Sequence, residues 1–304
     1  MLKRKALNRI FLTTVIFFVV FALYNLKEIS INNEIKKSSN NKEEIIYTLN
    51  DDNYVSKTSI YVSKVLTLED KIREKLETMV EENNKNALLP SYFNPILPEN
   101  TKVLDVVVED SLVKVYFSKE LLNITEEQSE KMIEAIVYTI TNENILGVEI
   151  YVNDSMLKYV PHTKKELPAV LTKDIGINKT YEIFKSNDIS KIVMTYYTSS
   201  NNNSYHEVPV TKYVNDDREK LEIIFEELEN PSLDKKLINL LENIKINSYK
   251  IYDKKIIIDI NKELSCKEEF LVLKSIFDNY DKEKVEIFVN GVKNIEKTKK
   301  DIEN

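Results

Sequence analysis

Apolar and polar positions follow helical or strand spacing along most of the chain. In the first half the pattern predicts a strand, a helix, two strands that form a hairpin, a second helix and a closing strand. The apolar residues of these six elements lie within Ser59–Val62, Leu68–Val80, Val103–Val108, Val113–Phe117, Met132–Ile140 and Val148–Val152.

The second half shows the same order of patterns. A capping box, which satisfies free amide groups at a helix start, precedes the second helix of each half, at Thr125–Gln128 and at Ser265–Glu268. The six predicted elements of this half are Ile192–Tyr197, Arg218–Leu228, Ile246–Ile251, Ile256–Ile260, Phe270–Phe277 and Val285–Val289.

Sequence identity supports a duplication. The pentapeptide Arg-Glu-Lys-Leu-Glu occurs at Arg73–Glu77 and again at Arg218–Glu222, and Val148–Asn153 has a close counterpart at Val285–Asn290. The period of about 140 residues is far longer than a solenoid repeat, so each copy should have its own core. We therefore predict an α+β fold of two similar β-α-β-β-α-β domains, with helices packed on one side of a small mixed sheet.

The N-terminus predicts a membrane anchor. Residues 10–26 carry no charge and are long enough to span a bilayer as a helix, and residues 1–9 are basic. This predicts a single-pass cell-membrane protein with a cytoplasmic N-terminus and the bulk of the chain outside the cytoplasm. A cleavable signal peptide is the alternative, although Phe21–Asn25 offers no small-x-small cleavage site. No cysteine follows the apolar run, which argues against a lipid anchor.

These patterns divide the chain into seven predicted parts. The polar stretch after the anchor, rich in Asn, Lys and Glu, is predicted to be a flexible stalk. The parts are a cytoplasmic tail over 1–9, the anchor over 10–26, the stalk over 27–57, a first domain over 58–154, a connector over 155–189, a second domain over 190–293 and a C-terminal tail over 294–304.

The composition of the chain excludes several classes of partner and site. The chain of 304 residues has a formal net charge of −7, which would repel nucleic acid, so nucleic acid is not a predicted partner. The single cysteine, Cys266, permits neither an internal disulfide nor a cysteine-based metal site. The abundance of Asn, Ile and Lys is typical of an AT-rich genome, as in many Firmicutes.

No set of residues has the spacing of a catalytic, cofactor or metal site. The two histidines lie in polar loop sequence and are predicted to be at the surface, and no glycine-rich phosphate loop exists with three glycines in the chain. We predict no catalytic, cofactor-binding or metal-binding residue, no cofactor and no enzyme activity. The groups considered and assigned structural roles are His162, His206, Cys266, Glu120, Glu263 and Tyr138–Thr139.

Several segments resemble the GerMN-domain family of sporulation and spore germination proteins. The resemblance is carried by Leu97–Leu104, Phe117–Ser118, Ala135–Ile140 and Val148–Asn153, and in the second copy by Val208–Val214 and Val285–Gly291. It covers residues 58–154 and 190–293 and implies tandem GerMN domains, similar to ring-building motifs and non-catalytic, in an endospore-forming bacterium. The second copy lacks the Tyr-Thr element of the family.

Two functions remain open. The first is a structural or assembly factor that binds other membrane or cell-envelope proteins and forms homo- or hetero-oligomers through exposed strand edges and helix faces. The alternative is a ligand-binding sensor or an accessory to a cell-wall enzyme that recognises peptidoglycan or a small molecule between the domains. A cleft lined by aromatic and polar residues from both copies would favour the alternative, and two flat, independent domains would favour the first.

Overall fold

The computed structural model describes residues 40–199, 205–229, 234–238, 241 and 243–303. They form two similar α+β units, which we call the first and second repeat. The first repeat contains β1 (Asn41–Asn50), β2 (Val55–Ser63), α1 (Leu68–Thr78), β3 (Phe93–Asn94), β4 (Val103–Glu109), β5 (Leu112–Phe117), α2 (Glu126–Ile140), β6 (Gly147–Val152) and β7 (Ser155–Met156).

The second repeat shares with the first the order of a hairpin, a helix, two strands, a helix and two strands, and it adds one strand before them and one helix after them. Its elements are β8 (Thr180–Glu182), β9 (Ile189–Ser199), β10 (Tyr205–Asn215), α3 (Lys220–Glu229), β11 (Ile246–Ile251), β12 (Lys255–Ile260), α4 (Cys266–Asn279), β13 (Lys284–Val289), β14 (Val292–Thr298) and α5 (Lys299–Glu303). Short 3-10 helices lie at Asn84–Leu88, Lys119–Asn123 and Lys173–Ile175.

Each repeat holds a four-stranded mixed sheet of the same topology. The strand orders are β4-β5-β6-β7 and β11-β12-β13-β14. In both sheets the middle pair is parallel and the two outer pairs are antiparallel. The helices α2 and α4 make the crossover that a parallel pair requires.

Each repeat also holds a second, three-stranded sheet, and here the prediction of one sheet per domain is wrong. The strand orders are β2-β1-β3 and β8-β10-β9. Long antiparallel hairpins, β1 with β2 and β9 with β10, form their main parts. The predicted β-α-β-β-α-β order is present inside each repeat, but the hairpin partners and the closing strands are additional.

The stalk predicted over residues 27–57 is wrong where the structure describes it. Residues Asn41–Asn50 form β1, the central strand of its sheet, and Val55 already belongs to β2. The segment is rich in polar residues, yet Ile46, Thr48 and Asn50 alternate along one face and are fully or nearly fully buried. Burial of polar strand residues depends on partners that lie far away in sequence.

The predicted C-terminal tail over 294–304 is also structured up to residue 303. Strand β14 pairs with β13 through six residue pairs, and α5 follows directly. Ile295 and Ile302 pack into the second repeat. Part of the predicted connector packs as well, because Leu171 and Ile177 are buried against the first repeat.

Two separate hydrophobic cores stabilise the repeats, as the length of the period predicts. Helix α2 contributes Ile133, Ile136 and Ile140 to the first core. Helix α4 contributes Leu273 and Ile276 to the second. Ser265 caps α4 with the complete reciprocal capping box, whereas Thr125 caps α2 only through its hydroxyl.

The predicted location in the membrane has to be corrected. Within the part of the chain that the structure describes, no helix is long and apolar enough to cross a bilayer. The predicted anchor over residues 10–26 and the tail over 1–9 lie outside the described residues. The structure therefore gives no support to a single-pass protein held by an N-terminal helix.

Candidate functional site: the cleft between the repeats

The two repeats are joined by the end of the connector. Asn178 is buried and bonds to both repeats: its Oδ1 accepts from the Val55 amide at 2.9 Å, and its Nδ2 donates to the carbonyls of Val55 at 2.7 Å and Pro209 at 2.8 Å. Val55 belongs to β2 and Pro209 to β10. One side chain thus bridges strands of two different domains.

We call this contact between the repeats the joint. Neighbouring residues extend it along β10. Gly176 has a φ of +79°, a left-handed conformation that suits glycine and turns the connector toward Thr211. The Ile177 amide donates to Thr211 Oγ1 at 3.0 Å, and the Thr211 amide donates to the Ile177 carbonyl at 2.8 Å. A further bond crosses directly between the repeats, from Asn50 Nδ2 to Thr198 Oγ1 at 3.2 Å.

A buried ion pair fixes the same joint to α2. Lys179 pairs with Glu134, and both side chains are almost fully buried. The Asn178 amide donates to Glu134 Oε2 at 2.8 Å. Burial raises the pKa of Glu134, while the Lys179 ammonium and the Asn178 amide oppose that increase. Removing one partner of such a pair would leave an uncompensated buried charge, so the pair holds the connector in one position.

Aromatic residues close the other side of the joint. The His206 ring stacks on Tyr92 with 4.3 Å between ring centroids and meets Phe93 edge-on at 5.3 Å. The Tyr92 hydroxyl donates to Asp52 at 2.6 Å; burial and this bond raise the pKa of Tyr92 to about 12. Burial lowers the pKa of His206. His206 is therefore half-buried between the repeats, and its predicted surface position is wrong.

Beside the joint lies a cleft of about 1140 Å³ that we call the inter-repeat cleft. Strands β1 and β2, α1, and the end of α2 form one wall, and β9, β10 and α4 form the other. Its lining includes six lysines and five carboxylates. The charged lining residues are Lys42, Lys57, Lys75, Lys173, Lys267, Lys274, Glu43, Glu44, Glu143, Glu207 and Asp278.

Tyrosines from both repeats line this cleft. Tyr47 and Tyr138 meet edge-on at 5.4 Å in the first repeat. Tyr197 and Tyr205 meet in the same way at 5.8 Å in the second, and Lys267 Nζ lies 3.6 Å from the centre of the Tyr205 ring. Tyr205 is 41% exposed, so its ring is available to a bound molecule.

The Tyr-Thr element of α2, Tyr138–Thr139, holds neighbouring segments of the cleft wall in place through hydrogen bonds. Tyr138 donates to the Lys173 carbonyl at 3.2 Å, and burial raises the pKa of Tyr138. Thr139 Oγ1 accepts from the Tyr47 amide at 2.8 Å. In α4, Asn279 makes the corresponding bond to a strand: its Oδ1 accepts from the Val193 amide of β9 at 2.9 Å. The helix caps Thr125 and Ser265 align Thr139 with Asn279.

The other groups considered as chemical candidates are dispersed. Cys266 is exposed at the first residue of α4. His162 is exposed, and its Nε2 lies 2.9 Å from the Leu122 carbonyl oxygen. Glu120 lies in a 3-10 helix after β5, and Glu263 lies in the turn after β12. Among the described residues, no group of three or more His, Cys, Asp or Glu side chains is arranged to hold a metal ion.

Two residues of this region escaped sequence reasoning. Lys75 occupies a core-facing position of α1, one residue before the buried Leu76. A lysine that interrupts the apolar face of a helix is a sequence signal that could have marked it as unusual. Asn178 gave no comparable signal, because its partners Val55 and Pro209 lie 123 and 31 residues away.

The geometry defines a class of protein: a tandem of two α+β repeats that are joined by a buried polar network and enclose a cleft. The solved structure of the tandem GerMN domains of the sporulation protein GerM from Bacillus subtilis has this fold. It matches with a TM-score of 0.76 over 83% of this chain and 92% of that one, at 23% sequence identity.

Sequence comparisons find similarity to the same group of sporulation proteins as the structural match. Residues 45–158 match the Germane family, described as sporulation and spore germination. The spore germination protein GerM of Bacillus subtilis (strain 168) is 27% identical over 220 residues, which cover 69% of this chain and 60% of that protein. The match thus spans less than two thirds of the relative's length. Residues 45–158 are therefore similar to the Germane family, and the fold over 83% of the chain is similar to that of the tandem GerMN domains.

Proposed function

We propose that this protein takes part in sporulation or spore germination as a non-catalytic binding protein, and that the inter-repeat cleft holds its partner. The observation that carries the proposal is the composition of the cleft, which is lined by both repeats while Asn178 and the Glu134–Lys179 pair hold its walls together. The biological context is supported by the family description and by the name of the Bacillus subtilis relative.

A protein segment suits this cleft better than a small molecule. Small-molecule pockets are usually about 300 to 1,000 Å³ and mostly apolar with few polar groups. The inter-repeat cleft has about 1140 Å³ and eleven charged side chains of both signs. Tyrosine is enriched at protein-protein interfaces, and charges of both signs can select a partner whose own charges are complementary. We therefore favour a structural or assembly role through protein-protein interaction.

The ligand-binding alternative also has a supporting observation. The two repeats are not flat and independent, and the aromatic and polar lining from both copies is the feature that favours a sensor or a cell-wall accessory. Exposed tyrosine rings such as Tyr205 can stack on sugar rings as well as on peptide groups. Binding of soluble peptidoglycan fragments to the purified protein would distinguish this alternative from a protein partner.

Tyr205→Ala tests the use of the cleft. Tyr252 is a matched control because it is 46% exposed, carries Lys255 near its ring at 5.7 Å and lies outside the cleft. Crosslinking and affinity capture from sporulating cells should recover a partner with the wild type and with Tyr252→Ala, but much less of it with Tyr205→Ala. Equal recovery with both variants would contradict a partner site in the cleft.

The absence of catalysis can be tested separately. A variant with Cys266→Ala, His162→Gln, Glu120→Gln and Glu263→Gln should support sporulation and germination like the wild type, provided that it folds and accumulates. His206 is left intact because it packs against Tyr92 in the joint. A folded variant with a null phenotype would indicate that one of these four groups takes part in a reaction.

A further inference from the structure

A second cavity lies at one end of the inter-repeat cleft and is lined mainly by the first repeat, with Lys300 of α5 contributed by the second. It has a volume of about 560 Å³ and lies between the start of β1, helix α1 and the C-terminal end of α2. We call it the Lys75 pocket. Its charged lining residues are Lys42, Lys71, Lys75, Lys300, Glu44 and Glu143, so four lysines face two glutamates in a protein of net charge −7.

Lys75 is the unusual member of this set. It follows Ile72 by three residues on the buried face of α1 and is only 8% exposed. Within the described part of the chain, its ammonium has no hydrogen bond and no ion pair, although it lines the pocket. Glu44, the carboxylate whose charge favours the charged form of Lys75, is instead paired with Lys42 at 3.3 Å.

An ammonium in this position is costly without a counter-ion. Burial lowers the pKa of Lys75 to about 8, with Lys42 and Lys173 adding repulsion and Glu44 opposing it. Buried charges in proteins are normally paired, and an uncompensated one destabilises the fold. The C-terminal end of α1, where Lys75 lies, offers a favourable helix dipole, but no hydrogen bond or ion pair among the described residues compensates the charge.

The end of α2 does not compensate the charge either. Lysines can stabilise a helix by bonding to the free carbonyls of its last turn. Here Thr141 satisfies the Val137 carbonyl through its amide at 2.9 Å and its hydroxyl at 2.7 Å. Asn142 Nδ2 donates to the Ile140 carbonyl at 3.4 Å. Lys75 makes no bond to this helix end.

We propose that the Lys75 pocket is an anion-binding site, in which the Lys75 ammonium receives a carboxylate or phosphate group of a ligand. A compact anion would provide the missing counter-charge and charge-assisted hydrogen bonds, which are the strong ones in proteins. Lys42, Lys71 and Lys300 surround the same cavity and add attraction for an anion.

The second repeat offers a matched control within the same five-residue sequence. Lys220 is the counterpart of Lys75 in Arg218–Glu222, but it is exposed at the first residue of α3. Lys220→Met therefore removes the same charge from the same local sequence, without removing a buried unpaired ammonium.

The test is binding of a simple anion to the purified protein, measured by calorimetric titration. Inorganic phosphate and acetate are titrated separately at matched ionic strength, with chloride as the reference. We expect Lys75→Met to bind the preferred anion at least about tenfold more weakly than the wild type, and Lys220→Met to stay within about twofold, since only Lys75 supplies the enclosed charge-assisted contact.

Each result of this titration either supports or contradicts the proposed anion site. Tighter binding of phosphate indicates a phosphate-bearing ligand, and tighter binding of acetate indicates a carboxylate-bearing one. Equal affinity in the wild type and Lys75→Met, or no binding of either anion by the wild type, would overturn the proposal. Because only purified protein and a simple anion are used, such a failure would leave the proposed partner site untouched.

A measurement on the wild type covers the case in which Lys75→Met does not fold. Acylation of individual lysines is followed by mass spectrometry with and without the preferred anion. The anion should slow acylation of Lys75 and leave that of Lys220 unchanged. Equal rates at Lys75 under both conditions would contradict an anion at this position.

Discussion

The same five residues, Arg-Glu-Lys-Leu-Glu, lie in two different environments. Leu76 and Leu221 are both fully buried, so the leucine has the same core role in each repeat. Lys75 is buried, whereas Lys220 is exposed. Helix α1 begins at Leu68 and places Lys75 in its last turn, on the buried face, while α3 begins at Lys220 itself. The helix start, not the local sequence, decides where the lysine lies.

The arginines of this pentapeptide differ in the same way. Arg73 donates to the Val103 carbonyl and pairs with Asp105 at 3.6 Å, which ties α1 to β4. Arg218 instead pairs with Asp216 and Glu226 near its own helix. Duplication has thus kept the core contacts and left the polar contacts free to change. The differences between the repeats therefore indicate where a function specific to one repeat lies.

The largest expected effect tests the similarity of the two cores. Ile136 and Ile276 occupy the same place in α2 and α4, and both are fully buried. Each change to Ala should lower the free energy of unfolding by about 2 to 5 kcal/mol, as expected for large-to-small core changes. Urea denaturation measures the cost. A loss below about 0.5 kcal/mol for one of the two, typical of surface positions, would break the equivalence of the repeats.

A slightly smaller effect is expected at the joint that makes the repeats act together. Asn178→Ala removes the bonds to Val55 and Pro209 and should cost about 2 to 4 kcal/mol, because the buried backbone groups lose their partners. Thermal unfolding should then separate into two transitions. Asn153→Ala is the control, since Asn153 has the same φ of 46° but is exposed. Similar losses in both variants would assign the cost to backbone strain.

The pH dependence of stability should reveal the difference between the two lysines. The pKa of Lys75 is lowered from 10.5 to about 8. Between these pH values the unfolded chain holds a proton that the folded chain has released, so stability rises with pH. The penalty is complete below about pH 8 and is relieved above 10.5. Relative to Lys75→Met, the wild type should gain up to about 3 kcal/mol across this window.

This pH experiment has an internal control. Tyrosines titrate in the same range, but their contribution is common to the wild type and the variant and cancels in the comparison. Urea denaturation at several pH values between 7 and 10.5 provides the free energies. A constant difference between wild type and Lys75→Met over this range would show that Lys75 has an ordinary pKa.

The smallest effect is the change in stability near neutral pH when the charge is removed. Lys75→Met keeps the apolar stem and deletes the unpaired ammonium, so it should raise the free energy of unfolding by about 1 to 2 kcal/mol. Lys220→Met should change it by less than about 0.5 kcal/mol, because an exposed lysine stabilises little. Destabilisation by Lys75→Met would mean that the ammonium has a stabilising partner within the protein.

The features that depend on neighbours along the chain were predictable from the sequence. Helix positions, the caps at Thr125 and Ser265, the buried face of α2 and the duplication all follow from local periodicity or from direct identity between segments. The family resemblance came from the same short segments. Such features are encoded within a few residues, so they can be read without knowing the contacts across the fold.

The candidate site was not predictable in this way. Polar residues over 41–50 suggested a stalk, but pairing with β2 and β3 turns them into a central strand. The joint at Asn178 and the cleft exist only because residues from both repeats meet. Local periodicity and identity between segments encode the elements, the caps and the duplication. Which polar groups are buried follows from the three-dimensional arrangement, because burial and charge pairing depend on distances between segments that sequence spacing does not contain.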